Sequence, residues 1–450
     1  MPTSSVVEVI PGGPVSGTIR PPGSKSLTNR ALLCAAFAPG RSRLSGALRS
    51  DDTEVMIKAL KKIGLRVEES EGGRTIEVTG IDRGSVAPQS ESEVELFIGN
   101  SGTTIRFLTA ALSALGGRFR LSGVPRMHQR PIGDLIDALR PICDGEVFSE
   151  SPGGCPPVRI DTQGWRGDVI KVAGNVSSQF LSGLMMASPI AGKRIRIEVL
   201  GELVSRPYVE MTAAIMRDFG VTCRWTDPRE HGQSSSAASP IFEIDSGDGY
   251  ISRDYEIEPD ASAASYFWAA AAISGGEVTV MGLSDQALQG DVRFVDCLEL
   301  MGCQVRRETD RITVKGSPVL RGIDIDMNAI SDTVQTLSVV AMFADGPTTV
   351  RGVAHNRFKE TDRIGDLAKE LRKLGGLITE TEDGLIIRPG ILRPARIETY
   401  EDHRMAMSLA LAGLRAPGVQ ISNPSCTGKT YPDYFADLEA LTGRPHHWFE

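Results

Sequence analysis

The sequence predicts an α/β (α+β) protein of two domains, each built from three βαβαββ units whose helices are buried inside sheets. Three observations support this prediction. The chain has 450 residues, which is too long for one ordinary hydrophobic core. A glycine followed by a β-type stretch recurs six times, starting at residues 40, 117, 192, 276, 346 and 418. Helical segments that are apolar nearly all round, such as 31–38 and 408–414, are typical of fully buried helices.

Each copy of the repeat contains a second strand–loop–helix pattern and a hairpin. Amphipathic helical patterns such as 55–64 and 364–375 end at glycine, the usual C-terminal stop. Segments 304–316 and 377–390 are typical of hairpins. We expect one domain to contain residues 1–22 and 258–450 and the other to contain 23–257. We also expect the first copy's opening strand and helix at the extreme N-terminus.

Composition and charge exclude several classes of protein. The chain is 41% hydrophobic with a net charge of −8, as expected for a globular protein without a nucleic-acid or membrane-surface partner. Its apolar runs are much shorter than the roughly 20 residues that cross a bilayer, and the N-terminus lacks a signal-peptide pattern, so we expect a cytoplasmic protein. The seven cysteines form no CxxC pair, which argues against a disulfide framework or a zinc site. We interpret His446 and His447 as a solvated tail rather than metal ligands.

The polar loops of the first half carry residues that suit anions. Lys25, Ser26 and Arg30 lie at a predicted helix start after Gly23, where free amides and the helix dipole favour negative charge. The segment does not match a P-loop, because Ser24 stands where the second glycine is required. An N-capped helix with ordinary surface charges is the alternative for this loop. Similar loops contain Asn100, Gly102 and Arg106, then Arg126 and Arg130, then Ser177, Ser178 and Gln179, then Ser205 and Tyr208.

The loops of the second half add carboxylates to the cations. Segment 356–363 contains Lys359, Glu360 and Arg363, although a run of charges is also typical of a solvated surface. Asp332 and the pair Asp402 and Arg404 open apolar helices, where a charge needs a partner or a ligand. Lys429 follows Gly428, and we interpret the nearby Cys426 as a buried structural thiol. Ligand-type residues at equivalent places in nearly every copy favour one composite site between two lobes.

In this order, the loops resemble those of the 5-enolpyruvylshikimate-3-phosphate synthase family. The matching segments are GSKSLTNRAL (23–32), GNSGTTIR (99–106), PRMHQRPI (125–132), VSSQF (176–180), SRPY (205–208), FKETDR (358–363), DHRMAM (402–407) and CTGKTYPDYF (426–435). The resemblance implies the two-domain enolpyruvyl transferase-like fold, with the active site in the cleft. It also implies transfer of the enolpyruvyl group of phosphoenolpyruvate to the 5-hydroxyl of shikimate 3-phosphate, which releases phosphate in the shikimate pathway to chorismate and aromatic amino acids.

The resemblance also implies roles for individual residues. The residues implied to contact shikimate 3-phosphate are Lys25, Ser26, Arg30, Ser177, Ser178, Gln179, Ser205, Asp332 and Lys359. Those implied to contact phosphoenolpyruvate are Lys25, Gly102, Arg130, Gln179, Arg363, Arg404 and Lys429. Asp332 and Glu360 resemble the family's proton-handling pair, with Lys25 as another candidate for the C3 proton. We expect no metal or other cofactor, no partner beyond the two small substrates, and a monomer.

Two positions depart from the family pattern. His355 lies where many relatives have asparagine, with Asn356 one step later, and Phe107 follows Arg106 where many have proline. Because Gly102 has no side chain, we expect inhibition by glyphosate. The alternatives are enolpyruvyl transfer to UDP-N-acetylglucosamine, which would require a reactive cysteine around 126–130, and a non-catalytic anion-binding protein. Segment 126–130 contains no cysteine, and a pure anion binder gains nothing from Asp332 and Glu360.

Overall fold

A computed structural model describes residues 5–81, 92–226 and 240–450. The chain forms two compact units, here called the terminal unit (Met1–Pro22 and Glu258–Glu450) and the inserted unit (Gly23–Ile257). Each unit contains three four-stranded sheets, and the terminal unit has an additional two-stranded one in the described ranges. Among the described residues, no helix is long and apolar enough to cross a membrane.

The α-helices of the described residues are numbered in chain order. They are α1 (Lys25–Ala36), α2 (Asp51–Lys62), α3 (Gly102–Leu115), α4 (Gly133–Leu139), α5 (Ser178–Ala191), α6 (Arg206–Asp218), α7 (Ala261–Ser274), α8 (Phe294–Leu300), α9 (Val334–Ala341), α10 (Gly365–Lys373), α11 (His403–Ala410) and α12 (Tyr434–Thr442).

The strands are numbered in the same way. Those that begin before residue 257 are β1 (Val6–Glu8), β2 (Gly17–Ile19), β3 (Gly40–Ser45), β4 (Arg66–Ser70), β5 (Thr75–Gly80), β6 (Val94–Phe97), β7 (Gly117–Ser122), β8 (Cys143–Ser149), β9 (Val158–Trp165), β10 (Val169–Ala173), β11 (Ile195–Leu200), β12 (Thr222–Thr226), β13 (Ile241–Asp245) and β14 (Asp254–Glu256). The later ones are β15 (Glu277–Met281), β16 (Gln304–Arg307), β17 (Arg311–Lys315), β18 (Leu320–Arg321), β19 (Asp324–Asp326), β20 (Ala344–Asp345), β21 (Thr348–Arg351), β22 (Leu377–Glu380), β23 (Leu385–Arg388), β24 (Ala395–Ile397), β25 (Val419–Ser422) and β26 (His447–Phe449).

All six four-stranded sheets have the same topology, which confirms the α/β class and the predicted hairpins. The orders are β14-β3-β5-β4, β6-β7-β9-β8 and β10-β11-β13-β12 in the inserted unit. In the terminal unit they are β16-β17-β15-β2, β19-β21-β23-β22 and β24-β25-β1-β26. In each sheet one outer pair of strands is parallel and the other two pairs are antiparallel. For example, β6-β7 is parallel, whereas β7-β9 and β8-β9 are antiparallel. A parallel pair requires a crossover, and in four of these sheets the crossover contains a buried helix, namely α3, α5, α9 or α11.

The expectation for the N-terminus is correct in chain order, since β2 and α1 precede β3, but it is wrong in sheet pairing. β1 does not open the first copy but lies between β25 and β26, so that it completes the last sheet. β2 pairs with β15 in the terminal unit, whereas β14 pairs with β3 in the inserted unit. The chain passes between the units after Pro22 and after Ile257. At each passage the preceding strand, β2 or β14, lies in a different unit from the helix that follows, α1 or α7. The tail interpretation is also wrong for His446, which is buried, while His447 begins the edge strand β26.

The buried helices confirm the prediction made from their composition. Every residue of α7 is buried, as is every residue of α11, and α1 is buried from Leu27 to Ala36. Small residues such as Ala269 and Ala270 let these helices approach one another inside the sheets. Amphipathic helices such as α2 and α10 instead bury one face each.

Candidate active site

In the inserted unit, the N-terminal halves of the three buried helices α1, α3 and α5 meet. Asn29 Nδ2 of α1 donates to Thr103 Oγ1 of α3 over 2.9 Å. Arg106 Nη1 of α3 donates to Gln179 Oε1 of α5 over 3.0 Å. The positive ends of three helix dipoles therefore lie close together, which favours negative charge at this place.

The predicted residues of the first loop lie at the start of α1. Ser24 caps the helix, and Lys25 Nζ lies 3.2 Å from the carboxylate of Asp52. Arg30 is buried, and its Nη1 donates to the backbone carbonyl of Ser26 over 3.0 Å. Arg30 Nε also donates to Thr212 Oγ1 over 2.7 Å, so the guanidinium is held by side-chain and backbone oxygens. No pattern in the sequence predicts that Asp52 accompanies Lys25.

Gly102 is the first residue of α3 and faces two guanidinium groups. A Cβ at this position would lie 2.4 Å from Arg130 Nη2 and 2.6 Å from Arg106 Nη1, so the missing side chain is what allows both arginines to approach the helix start. Arg130 is buried and donates to the Asn100 carbonyl over 3.0 Å. Arg126, in contrast, donates to Gln129 at the surface. Only one arginine of that loop therefore faces Gly102.

The remaining predicted residues of this unit lie at two other helix starts. Ser177 caps α5, and its hydroxyl accepts from the Gln179 amide over 3.3 Å. Ser178 is buried, as is Ser205, which precedes α6. Ser205 has a φ of 52°, a left-handed conformation that is uncommon for a residue with a side chain and that clusters at functional sites.

In the terminal unit, the buried helices α7, α9 and α11 also meet. The Thr336 hydroxyl of α9 lies 3.1 Å from the Ser265 hydroxyl of α7 and 3.2 Å from the Ser408 hydroxyl of α11. Arg404 Nη2 of α11 lies 3.4 Å from Ser262 Oγ of α7. The arrangement repeats that of the inserted unit, as expected for copies of one unit.

The predicted charged residues of this unit form one group, here called the charged cluster: Asp332, Lys359, Glu360, Arg363, Arg404 and Lys429. Asp332 accepts hydrogen bonds from Lys359 over 2.6 Å, Arg363 over 3.2 Å and Arg404 over 2.7 Å. Glu360 lies 2.8 Å from Arg363 and accepts from Lys429 over 3.0 Å. Segment 356–363 is therefore not a solvated surface, because three of its charges belong to this cluster.

The cluster changes the acidity of its members. Burial alone would raise the pKa of Asp332, but the charges of Arg404, Lys359 and Arg363 outweigh it and hold that pKa well below its ordinary value. Burial lowers the pKa of Lys359, and the neighbouring Asp332 only partly opposes this shift. Asp332 is therefore an ionised carboxylate whose acidity depends on the cations around it.

Two further carboxylates lie beside the charged cluster. Asp402 is fully buried, caps α11 and accepts from Arg363 Nε over 2.6 Å and Nη2 over 3.0 Å. Asp291 accepts from the Ser262 hydroxyl, and burial followed by the nearby Asp332 charge raises its pKa to about 6. Asp402 was noted in the sequence as a charge that needs a partner. Asp291 was not predicted, because it follows a polar Gln-Gly pair and lies in a short 3-10 helix, Gly290–Arg293.

The positions that depart from the family pattern are well packed. Burial, followed by the charge of Lys359, lowers the pKa of His355 to about 3, so the imidazole is neutral. Asn356 is buried and its Nδ2 donates to the Ser331 carbonyl over 2.9 Å. Phe107 belongs to α3, which is continuous, and its side chain is buried. The Arg30 guanidinium lies 5.1 Å from the centroid of the Phe107 ring. Cys426 is half-buried rather than fully buried, but desolvation still raises the pKa of its thiol to about 12, which argues against a reactive thiolate.

Comparisons with known proteins agree on one family. The family model of EPSP synthase (3-phosphoshikimate 1-carboxyvinyltransferase) matches residues 9–438. A Nostoc punctiforme protein named 3-phosphoshikimate 1-carboxyvinyltransferase is 46% identical over 422 residues, covering 94% of this chain and 95% of that protein. A protein of the same name from Shewanella loihica is 44% identical, covering 95% and 97% of the two chains. The chloroplastic protein of Solanum lycopersicum is 46% identical, covering 94% and 82%.

Solved structures of similar fold include an EPSP synthase from Acinetobacter baumannii. It has a TM-score of 0.79 and 25% identity and covers 99% of this chain and 100% of that one. The enolpyruvyl transferase NikO from Streptomyces tendae has a TM-score of 0.71 at 19% identity and covers 99% and 98%. At that identity the second likeness concerns the fold alone.

Proposed function

The chain belongs to the EPSP synthase family, and on this basis we propose that it transfers the enolpyruvyl group of phosphoenolpyruvate to the 5-hydroxyl of shikimate 3-phosphate. The observation in the molecule that supports this activity best is the charged cluster. Asp332 and Glu360 lie within hydrogen-bonding distance of cations that suit phosphate and carboxylate groups. The reaction needs both kinds of group, since it combines anion binding with proton transfer.

The proposal assigns the residues of both units to one reaction. Those assigned to shikimate 3-phosphate are Lys25, Ser26, Arg30, Ser177, Ser178, Gln179, Ser205, Asp332 and Lys359. Those assigned to phosphoenolpyruvate are Lys25, Gly102, Arg130, Gln179, Arg363, Arg404 and Lys429. The support is that the buried residues Ser178 and Ser205 lie at helix starts, where the positive ends of the dipoles favour a phosphate. Arg30 adds a buried cation in the second turn of α1.

The proposed chemistry is an addition followed by an elimination. The 5-hydroxyl oxygen bonds to C2 of phosphoenolpyruvate as C3 takes up a proton, which gives a tetrahedral ketal with a methyl group. The C2–O bond to phosphate then breaks as a proton leaves that methyl group, so inorganic phosphate and the enol ether form. We assign the hydroxyl proton to Asp332 and the C3 proton to Glu360 or Lys25.

The electrostatics explain how so acidic a carboxylate can serve as a base. Arg404, Lys359 and Arg363 hold the pKa of Asp332 down while they contact it. When the phosphate and carboxylate of phosphoenolpyruvate share the charge of Arg363 and Arg404, less of that charge stabilises ionised Asp332. Its pKa then rises toward the range in which a general base is effective. Substrate binding thus prepares the carboxylate for proton transfer.

Asp332→Asn tests this assignment. The variant keeps the shape of the side chain, removes the base and leaves the cations with less opposing charge. We expect kcat to fall by about 10²–10⁴-fold, while phosphoenolpyruvate binds at least as tightly as to the wild type. Ser284→Ala, at a half-buried loop position outside the cluster, serves as the control and should keep the wild-type rate. Wild-type kcat in both Asp332→Asn and Glu360→Gln would contradict the assignment.

Phosphate release decides among the candidate functions. We expect inorganic phosphate when the protein is mixed with phosphoenolpyruvate and shikimate 3-phosphate together, and none with either substrate alone. Release with UDP-N-acetylglucosamine instead would favour the related transferase. Binding of both anions without release would indicate a non-catalytic protein. We further propose that the enzyme acts as a monomer in the cytoplasm, which sedimentation of the purified protein with and without substrates and cell fractionation would test.

A further inference from the structure

An unusual turn precedes helix α11. The Asp402 amide donates to the Thr399 carbonyl over 2.8 Å, and the two central residues, Tyr400 and Glu401, have φ values of 53° and 56°. Turns with two positive φ values favour glycine, asparagine and aspartate, because a Cβ is strained in this region. Neither Tyr nor Glu belongs to that group, so contacts elsewhere must hold the turn in place.

The turn determines where the next two charged side chains lie. Asp402 follows it directly and accepts two hydrogen bonds from Arg363, over 2.6 and 3.0 Å. Arg404 lies two residues further on and donates to Asp332 over 2.7 Å. If residues 400 and 401 relaxed to negative φ, the chain direction into α11 would change. Both contacts with the charged cluster would then be disturbed.

A buried carboxylate on α10 fastens this turn. Glu370 is fully buried, and its Oε1 accepts from the Tyr400 hydroxyl over 2.7 Å. Its Oε2 accepts from the Glu398 amide over 3.1 Å and lies 2.6 Å from Lys373 Nζ. Lys369, also on α10, has its ammonium 5.5 Å from the centroid of the Tyr400 ring. Glu370 thus bonds the backbone just before the turn, at Glu398, and the first of its two positive-φ residues, Tyr400. Both are thereby held against α10.

Helix α10 is itself part of the site's framework. It begins at Gly365, two residues after Arg363, and the segment before it carries Lys359 and Glu360. Glu370 therefore connects the segment that supplies Lys359, Glu360 and Arg363 with the segment that supplies Asp402 and Arg404. A charged hydrogen bond inside a buried environment is strong, and loss of one partner leaves the other unsatisfied.

We propose that Glu370 and Tyr400 are positioning residues, which hold the strained turn at 400–401 so that Asp402 and Arg404 meet Arg363 and Asp332. Neither residue touches substrate in this account. The inference rests on the proposed function for its kinetic consequence, but the contact between helix and turn stands without it. Because Arg363 and Arg404 are assigned to phosphoenolpyruvate, the effect of a loosened turn falls mainly on that substrate.

The test uses Tyr400→Phe, which keeps the ring and removes the hydroxyl bonded to Glu370. We expect the KM for phosphoenolpyruvate to rise about tenfold, and the KM for shikimate 3-phosphate to rise distinctly less. Glu401→Gly, an exposed position where glycine adopts positive φ without strain, should restore most of the loss in the double variant. Tyr250→Phe is the matched control, because it also removes a buried hydroxyl bond, to Met186, in the inserted unit.

Hydrogen exchange of the peptide that spans 398–410 provides a readout that does not depend on activity. We expect faster exchange in Tyr400→Phe and Glu370→Gln and slower exchange again when Glu401→Gly is added. Wild-type exchange in both single variants would overturn the proposal. So would an unchanged KM for phosphoenolpyruvate in an active Tyr400→Phe enzyme, or a loss that glycine at 401 fails to reduce. If the wild type releases no phosphate, the proposed function fails while the exchange data still decide whether Glu370 holds the turn.

Discussion

At the scale of single residues, Gly102 shows how an absent side chain shapes the site. A Cβ there would lie 2.4 Å from Arg130 Nη2 and 2.6 Å from Arg106 Nη1, both far ends of flexible side chains. Gly102→Ala should therefore fold, since α3 gains a better helix former and the arginines can shift. We expect the KM for phosphoenolpyruvate to rise about tenfold with little change in kcat, the pattern expected when the ground state and the transition state lose the same binding energy.

The same variant bears on glyphosate, which should inhibit the wild type and inhibit Gly102→Ala less. Steady-state kinetics against both ligands would check this. Gly133→Ala is the matched control. A Cβ added at Gly133 would lie 3.6 Å from the Gly154 carbonyl oxygen, an ordinary van der Waals distance. Unchanged turnover of the wild type at millimolar glyphosate would contradict the expectation, as would equal inhibition of wild type and Gly102→Ala.

His355 makes stability depend on pH. Its pKa falls from 6.5 to about 3 on folding, because burial and the charge of Lys359 disfavour the protonated ring. The unfolded chain therefore binds more protons below pH 6.5, and the free energy of unfolding decreases as pH falls from 6.5 toward 3. Through His355, the wild type should lose about 2 kcal/mol between pH 8 and pH 5.

Urea unfolding of the wild type and His355→Asn at both pH values measures this term. The variant should lose about 2 kcal/mol less than the wild type over the same interval. Asp291 changes stability with pH in the opposite direction, because its folded pKa of about 6 lies above the ordinary 3.8. Its contribution to the free energy of unfolding is lost as pH rises through 6. Asp291 is present in both proteins and cancels in the comparison. Parallel pH profiles would show that His355 is not buried in its neutral form.

At the scale of helices and strands, the hydroxyl of Thr336 joins three buried helices. It lies 3.1 Å from Ser265 of α7 and 3.2 Å from Ser408 of α11, and all three side chains are fully buried. Thr336→Val keeps the shape of the side chain but removes both hydroxyl contacts, and Ser265 keeps only its hydrogen bond to the Ser262 carbonyl. We expect the free energy of unfolding to fall by about 1–3 kcal/mol in a urea titration.

The control for this prediction is Thr18→Val, at an exposed position of β2 in the same unit. It should change the free energy of unfolding by less than about 0.5 kcal/mol. A Thr336→Val protein as stable as Thr18→Val would show that the hydroxyl layer contributes nothing to the packing of α7, α9 and α11.

Elements with strong local signals could be predicted from the sequence. The composition of segments 31–38 and 408–414 predicted buried helices, and glycine stops marked the ends of amphipathic ones. The charged loops led to the cluster because Asp332 and Arg404 open apolar helices, where a charge needs a partner. The role of Glu370 was not predicted, although this residue lies three positions after the buried Leu367, on the apolar face of α10. A carboxylate on the apolar face of an amphipathic helix is the sequence pattern that indicates such a buried contact.

At the scale of the whole molecule, the pairings that close the sheets could not be predicted. β1, β2, β14 and β26 are each only three residues long, too short for an alternating pattern to define a face or a partner. Their partners lie far away in the sequence, as Val6 opposite Ser422 illustrates. Local chemistry therefore indicated the repeat and its loops, whereas long-range pairing decided which strand completes which sheet.

The C-terminal segment 444–450 packs against the sheet that contains β1. β26 pairs along β1, the Trp448 and His446 rings lie 5.7 and 6.3 Å from that of Phe435, and Arg444 donates to the Gly13 carbonyl over 3.1 Å. Removal of residues 444–450 leaves β1 as a bare edge. We expect a loss of at least ~2 kcal/mol in urea unfolding and greater aggregation, with unchanged KM values. Removal of Glu450 alone, which lies outside β26, is the control, and equal stability of the two truncated proteins would contradict the role of β26.

The proposed enzyme forms an enol ether by addition and elimination, through an intermediate with a methyl group. The decisive experiment is the reaction of phosphoenolpyruvate with shikimate 3-phosphate in deuterium oxide, with the product analysed by mass spectrometry and proton NMR. Because C3 takes up a solvent proton before the methyl group loses one, we expect phosphate release together with deuterium in the enolpyruvyl methylene of the product. A product formed with phosphate release but with no deuterium at C3 would contradict this mechanism.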